Sequence, residues 1–204
     1  MGQKKGNPIP SYQNQGYEAL RPNTNARENR DMGTKPVFVN DTVRPAEGIL
    51  VWGAFSDTTT QSASLANTAY SMKLNSVDGA NGFVVENDSN GFPTRIKALQ
   101  TGVYNLQFSA QVENIANTNI DVDIWLAYTG SNVERSAGRV SLTKISGEFD
   151  NQIAGWNYVL PIEQLDYVEL KWSSQATTAR LFYSGSNGIH PETPSVIATI
   201  TQVG

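Results

Sequence analysis

Between Thr101 and Thr129 the chain alternates twice, and this patterning limits what it can become. Tyr104, Leu106, Phe108, Ala110 and Val112 occupy every second position, with Asn105, Gln107, Ser109, Gln111 and Glu113 between them. Further on, Ile120, Val122, Ile124, Leu126 and Tyr128 alternate with Asp121, Asp123, Trp125 and Ala127. A period of two sends each set to one side of an extended backbone, so both runs predict long, half-buried β-strands. Strands of this length suit the central pair of a large sandwich. The Asn- and Thr-rich connector Asn114–Asn119 reads as a short surface turn. The apolar sets are expected to build the core. Gln107, Gln111, Asp123 and Trp125 fall on the opposite face, where a neighbouring subunit is expected.

The rest of the chain carries the same kind of signal. GILVWGAF (Gly48–Phe55) is almost continuously apolar, which predicts a strand covered on both faces, with Trp52 against a second sheet or another subunit. Residues 56–68 read as a long polar loop. Short strands are expected at 70–74, 82–85 and 94–99, with Asn75–Asn81 as a turn because of its Asp78-Gly79 and Asn81-Gly82 dipeptides. Further strands are expected at 133–143, 153–161, 167–172, 179–183 and 195–203. No stretch shows helical periodicity and no repeat is visible. About ten short strands separated by regular turn signals predict an all-β, antiparallel sandwich or barrel.

Residues 1–45 differ in kind from residues 46–204. They are rich in Asn, Gln, Pro, Gly and Arg, and such a segment cannot bury enough apolar surface to order itself alone. Pro8, Pro10 and Pro22 favour extended backbone. Seven basic groups stand against four acids up to residue 45, and eight against fifteen in the remainder. A basic arm on an acidic body is expected to meet a negatively charged partner, the alternative being a solvated tail. Ile9, Tyr12, Tyr17 and Leu20 are its candidate anchors, and Arg21, Arg27 and Arg30 its candidate ion-pairing groups. KPVFVN (Lys35–Asn40) reads as a first short strand or as an arm strand added to another sheet. The scattered basic residues argue against nucleic acid. No run reaches the roughly 20 apolar residues of a membrane span, so no membrane partner is expected. Lys4 and Lys5 are followed by no apolar stretch, so a secretory signal is not expected either.

Little in the sequence points to catalysis. There is no cysteine, which excludes disulfides, thiolate metal sites and a cysteine nucleophile. The one histidine, His190, lies between turn signals with no G-x-S-x-G elbow anywhere, so it reads as a loop residue. Asp121 and Asp123 share a strand face and offer oxygen ligands for a cation, against the plainer reading of two solvated carboxylates. Glu163, Asp166 and Glu169 are tied by no spacing that a glycosidase pair requires. Trp52, Trp125, Trp156 and Trp172 suggest a sugar-stacking platform or, for Trp125 on its polar face, a subunit contact. No catalytic residue, cofactor or metal is therefore expected.

The motifs also resemble a known family. GVYNLQF (Gly102–Phe108) is similar to the G-x-Y-x-F-x-F strand of C1q/TNF-like jelly rolls, and DVDIWLAYTG (Asp121–Gly130) resembles the next strand of that fold. VLPIEQLDYVEL (Val159–Leu170) looks like its L-x-L-x-x-G-D-x-V-x-L strand pair, with Leu165 where the family has Gly. PSVIATITQV (Pro194–Val203) resembles the last strands of such domains in tailed-phage virion proteins and departs from the ending of animal members. The likeness spans residues 48–204. It implies an antiparallel jelly-roll sandwich with an extended N-terminal arm, assembling as a homotrimer without catalysis. No collagen-like stem precedes the domain, which points away from the complement-type members. The resemblance implies a capsid decoration (cement) or head-fibre protein on the virion surface. Its partner would be the major capsid protein or another virion protein. Trp52, Gln107, Gln111, Asp123 and Trp125 are the expected trimer contacts. The alternative is a tail-fibre tip that binds a host-surface glycan through loops 56–68, 75–82 and 184–191.

Overall fold

A computed structural model describes residues 50–143 and 150–204. The arm at 1–45, its anchors Ile9, Tyr12, Tyr17 and Leu20, and Arg21, Arg27 and Arg30 lie outside the described residues, as does KPVFVN. In chain order the strands are β1 (Trp52–Asp57), β2 (Gln61–Ser62), β3 (Tyr70–Ser71), β4 (Ser76–Asn81), β5 (Phe83–Asn87), β6 (Pro93–Ala98) and β7 (Gly102–Asn114). They continue with β8 (Ile120–Tyr128), β9 (Ser131–Asn132), β10 (Gly138–Leu142), β11 (Asp150–Ile162), β12 (Tyr167–Ser174), β13 (Ala179–Leu181) and β14 (Val196–Gln202). The described residues contain no helix.

Two antiparallel sheets form. In one, β7 is flanked by β11 on one edge and by β14 on the other, with β1 and β4 continuing beyond β14. The end of that second edge of β7 is taken by β13, which pairs with β2. In the other sheet the order is β10, β8, β12, β6, β5, with β3 on β12 and β9 on β8. The chain crosses repeatedly between them: β6 to β7, β7 to β8, β10 to β11, β11 to β12. This is the jelly-roll-like β-sandwich expected from the sequence.

The opening alternation explains the core. Tyr104, Leu106, Ala110 and Val112 of β7 are fully buried, as are Val122 and Ile124 of β8. Each strand is central in its own sheet, so the two apolar rows meet across the interior. Leu170 and Trp172 of β12 and Ala198 and Ile200 of β14 extend that layer. Burying each such large side chain contributes about 1.5–3 kcal/mol. Phe108 adds an edge-to-face contact with Trp156, ring centroids 4.9 Å apart.

Three expectations need correcting. The turn placed at 75–81 is strand β4, paired with β1. As an edge strand of Ser, Asp, Gly and Asn, mostly open to solvent, it has no apolar rhythm to betray it. The chain instead bends at Gly82, whose φ of 86° suits glycine, and passes there from β4 in one sheet to β5 in the other. Second, Leu50–Phe55, the described part of GILVWGAF, is not covered on both faces: Leu50 is exposed, β1 begins at Trp52, and only Gly53 and Phe55 of its first four residues are buried. Third, residues 133–143 form a strand only from Gly138, after a bend in which Arg135 takes a φ of 61°.

Candidate functional site

The outward positions of the β7 sheet can be read off its registers. One row runs Asn157, Gln107, Thr199, Ala54, Gly79, and the next Val159, Asn105, Thr201, Trp52, Asn81. A third row holds Gly155, Ser109, Ile197 and Ser56. None of these residues is charged; the charges of this face lie at its margins, Glu113 paired with Arg180 at the β13 end and Asp78 accepting Ser56 Oγ at 3.2 Å beside β4. Ile153 is 69% exposed, Val159 62% and Ile197 39%, all on this one face. The surface is also flat. The Trp52 indole lies across Gly79, where a Cβ would come within 2.7 Å of Cη2. Gln107, Ser109, Ile197 and Thr199 line a shallow central depression of about 220 Å³. Among the described residues, the free edge of β11 pairs with no other strand. A face depleted of charge, beside a long unpaired edge, is the composition of a buried contact rather than of a solvated surface.

The outer face of the β8 sheet is built the opposite way. Arg139 Nε donates to Asp123 Oδ1 at 2.7 Å and its Nη2 to Oδ2 at 3.1 Å, while Nη1 lies 3.4 Å from Asp121 Oδ2. The hydrogen bond to Asp123, then the charges of both carboxylates, raise the guanidinium above its usual pKa. Ser141 Oγ donates to Asp121 at 2.7 Å, so both candidate cation ligands already hold protein partners. Among the described residues no group of three or more metal-type ligands comes together. Trp125 Nε1 donates to Asn132 at 2.7 Å, and Lys97 pairs with Glu86 at 2.9 Å.

The five expected trimer contacts are therefore divided. Trp52, Gln107 and Gln111 share the outer face of the β7 sheet. Asp123 and Trp125 lie on the far side of the sandwich, about 10 Å away through the core. Strand parity alone could not reveal this, because it separates in from out but does not say which sheet a strand joins. The four tryptophans are divided too: Trp52 and Trp125 on opposite outer faces, Trp156 against Phe108, and Trp172 buried.

A cavity of about 560 Å³ opens on the β8-sheet side, where β3 and β6 both approach β12. In its floor Glu169, 4% exposed, accepts Ser71 Oγ and Thr94 Oγ1, each at 3.0 Å. Lys171 Nζ lies 3.5 Å from Glu169 Oε2 and donates to Ser71 Oγ at 2.6 Å. Lys73 stands over the Phe92 ring at 4.4 Å and Arg95 over Tyr167 at 4.6 Å, all four lining the cavity. Sequence reasoning missed this site. Its one local signal is Tyr167, Glu169 and Lys171 at alternate positions of β12, while Lys73 and Arg95 arrive only through sheet pairing.

The remaining candidates stay apart. Glu163 accepts Thr101 Oγ1 at 3.0 Å, Asp166 accepts the Tyr128 hydroxyl, and Glu169 belongs to the cavity. Burial, then the bond to Asp166, raises the Tyr128 pKa. His190 lies on an exposed turn, its Nδ1 2.6 Å from the Pro191 carbonyl. The buried Glu113 pairs with Arg180, a contact between β7 and β13 that no motif announced. No protein-family model matches the chain, and no curated protein matches it.

Proposed function

We propose that the chain is a structural protein of a virion, a homotrimeric capsid decoration or head-fibre protein attached through residues 1–45. The observation that carries this reading is the uncharged centre of the outer face of the β7 sheet. A second copy of the chain covers it, burying Trp52, Gln107 and Gln111 around a threefold axis. Asp123 and Trp125 then remain on the outside of the assembly. A cysteine-free sandwich gains stability from such association by mass action. The excess of basic groups in residues 1–45 over an acidic remainder supports attachment to an acidic surface on the major capsid protein or another virion protein. Arg21, Arg27 and Arg30 form ion pairs there, while Ile9, Tyr12, Tyr17 and Leu20 fill pockets.

Mixing the protein with undecorated capsids tests attachment. The full chain is expected to co-sediment with the particles, and a variant lacking residues 1–35 to stay a trimer in the supernatant. Normal decoration by the shortened chain would remove the arm from the proposal. One observation favours a second reading, recognition of a host-surface glycan: of the loops suited to it, 56–68 lends Gln61, Ser62 and Ser64 to the cavity wall.

A further inference from the structure

The cavity beside β12 contains more positive charge and more hydrogen-bond donors than the protein itself satisfies. Asp88 is engaged in its own turn, accepting the backbone N–H of Asn90 at 2.8 Å and of Phe92 at 3.0 Å. Glu169 is matched by Lys171 and two hydroxyls. That leaves Lys73 and Arg95, neither of which has a carboxylate within ion-pair distance among the described residues. Arg95 Nε, on a side chain that lines the cavity, is buried with no acceptor. Buried donors are ordinarily partnered, so an unmatched guanidinium at the cavity wall favours a ligand that brings acceptor oxygens.

We propose that this cavity binds a hydroxylated ring bearing one carboxylate or phosphate group, an acidic sugar. The anionic group sits against Arg95 and Lys73, whose charges the protein leaves unmatched. Hydroxyls meet Ser64, Ser89 and Asn90 at the wall, and the partly exposed Phe92 ring offers an apolar surface to a sugar face. The volume lies within the roughly 300–1,000 Å³ of small-molecule sites. A predominantly polar wall suits a sugar better than a lipid. The floor residues Glu169 and Lys171 belong to β12, in the sheet opposite the β7 face. The inference is independent of attachment to a particle.

Titration calorimetry on the full-length protein, with glucuronate, glucose 6-phosphate, glucose and inorganic phosphate as separate probes, tests it. At least one of the two acidic sugars is expected to bind ten or more times tighter than glucose and than inorganic phosphate. The tighter of the two identifies the head group as carboxylate or phosphate. Arg95→Gln is expected to weaken that binding at least tenfold. Lys73→Gln, altering a side chain near the surface, is expected to weaken it severalfold with an unchanged melting temperature. The proposal is overturned if neither acidic sugar saturates at millimolar concentration, if glucose binds as well, or if Lys73→Gln leaves the affinity unaltered.

Discussion

The central rows of the outer β7-sheet face show Asn, Gln, Ser, Thr, Gly and apolar side chains, with Glu113, Arg180 and Asp78 only at the margins, whereas the outer face of the β8 sheet sets Arg139 against Asp121 and Asp123, and Lys97 against Glu86. Both faces belong to one sandwich and rest on one core, so folding alone does not require the difference. Solvent does not favour it either, since an exposed sheet surface is ordinarily kept soluble by interspersed charge. What separates them is what each is suited to touch. A charged face holds water and is costly to desolvate. An uncharged, flat face with Ile153, Val159 and Ile197 exposed gains by being covered.

The largest expected effect comes from making the first face resemble the second. Gln107 lies in the middle row of the β7 face, between Asn157 and Thr199. Gln107→Glu keeps the side chain's size and adds one charge. If a second copy covers this face, the buried unpaired carboxylate costs at least about 3 kcal/mol, a hundredfold or more in association. Gel filtration should then show a folded monomer at concentrations where the parent is assembled. The matching change on the other side, Trp125→Glu, should leave the assembly mass unaltered. Were the two results reversed, the interface would belong to the β8 sheet.

A smaller effect separates two kinds of charge within the β8 sheet. Glu169→Ala removes the acceptor of Ser71 and Thr94 in the cavity floor and should cost about 1–3 kcal/mol in urea unfolding. Arg139→Ala, at an exposed ion pair, should barely move the unfolding midpoint. Equal losses would mean that the outer charge network stabilises the fold as much as the buried one does.

The smallest expected effect is at the corner that carries the chain from the β7 sheet to the β8 sheet. Leu165 holds a φ of 71°, a left-handed conformation that costs a side-chain-bearing residue about 1–2 kcal/mol. It is 59% exposed, so little packing is lost on truncation. Leu165→Gly should raise stability by roughly 1 kcal/mol, after the larger unfolded-state entropy of glycine is allowed for. No gain in melting temperature would show that Leu165 makes contacts that offset its backbone strain.

Much of the sandwich could be read from the chain, for a physical reason. Where one side of a strand is buried, as in β7 and β8, the period-two pattern is enforced by the core and is visible in Tyr104–Val112 and Ile120–Leu126. Where neither side is buried, as in β4, no such pattern exists, and Asp78-Gly79 mimics a turn. The functional surfaces were only half legible. Trp52, Gln107 and Gln111 were recognised as outward-facing residues, but grouped with Asp123 and Trp125, because parity does not reveal sheet membership. The cavity depends on β3 and β6 meeting the same edge of β12. Lys73 and Arg95 belong to separate segments of sequence, and only that pairing brings them together.

Sedimentation equilibrium of the full-length chain, from micromolar concentration upward, tests the central claim that the uncharged face is a contact between copies. The account expects one species of three times the 22.2-kDa chain mass, reverting to the single-chain mass in Gln107→Glu. A parent protein that remains a 22.2-kDa monomer at tens of micromolar would contradict it.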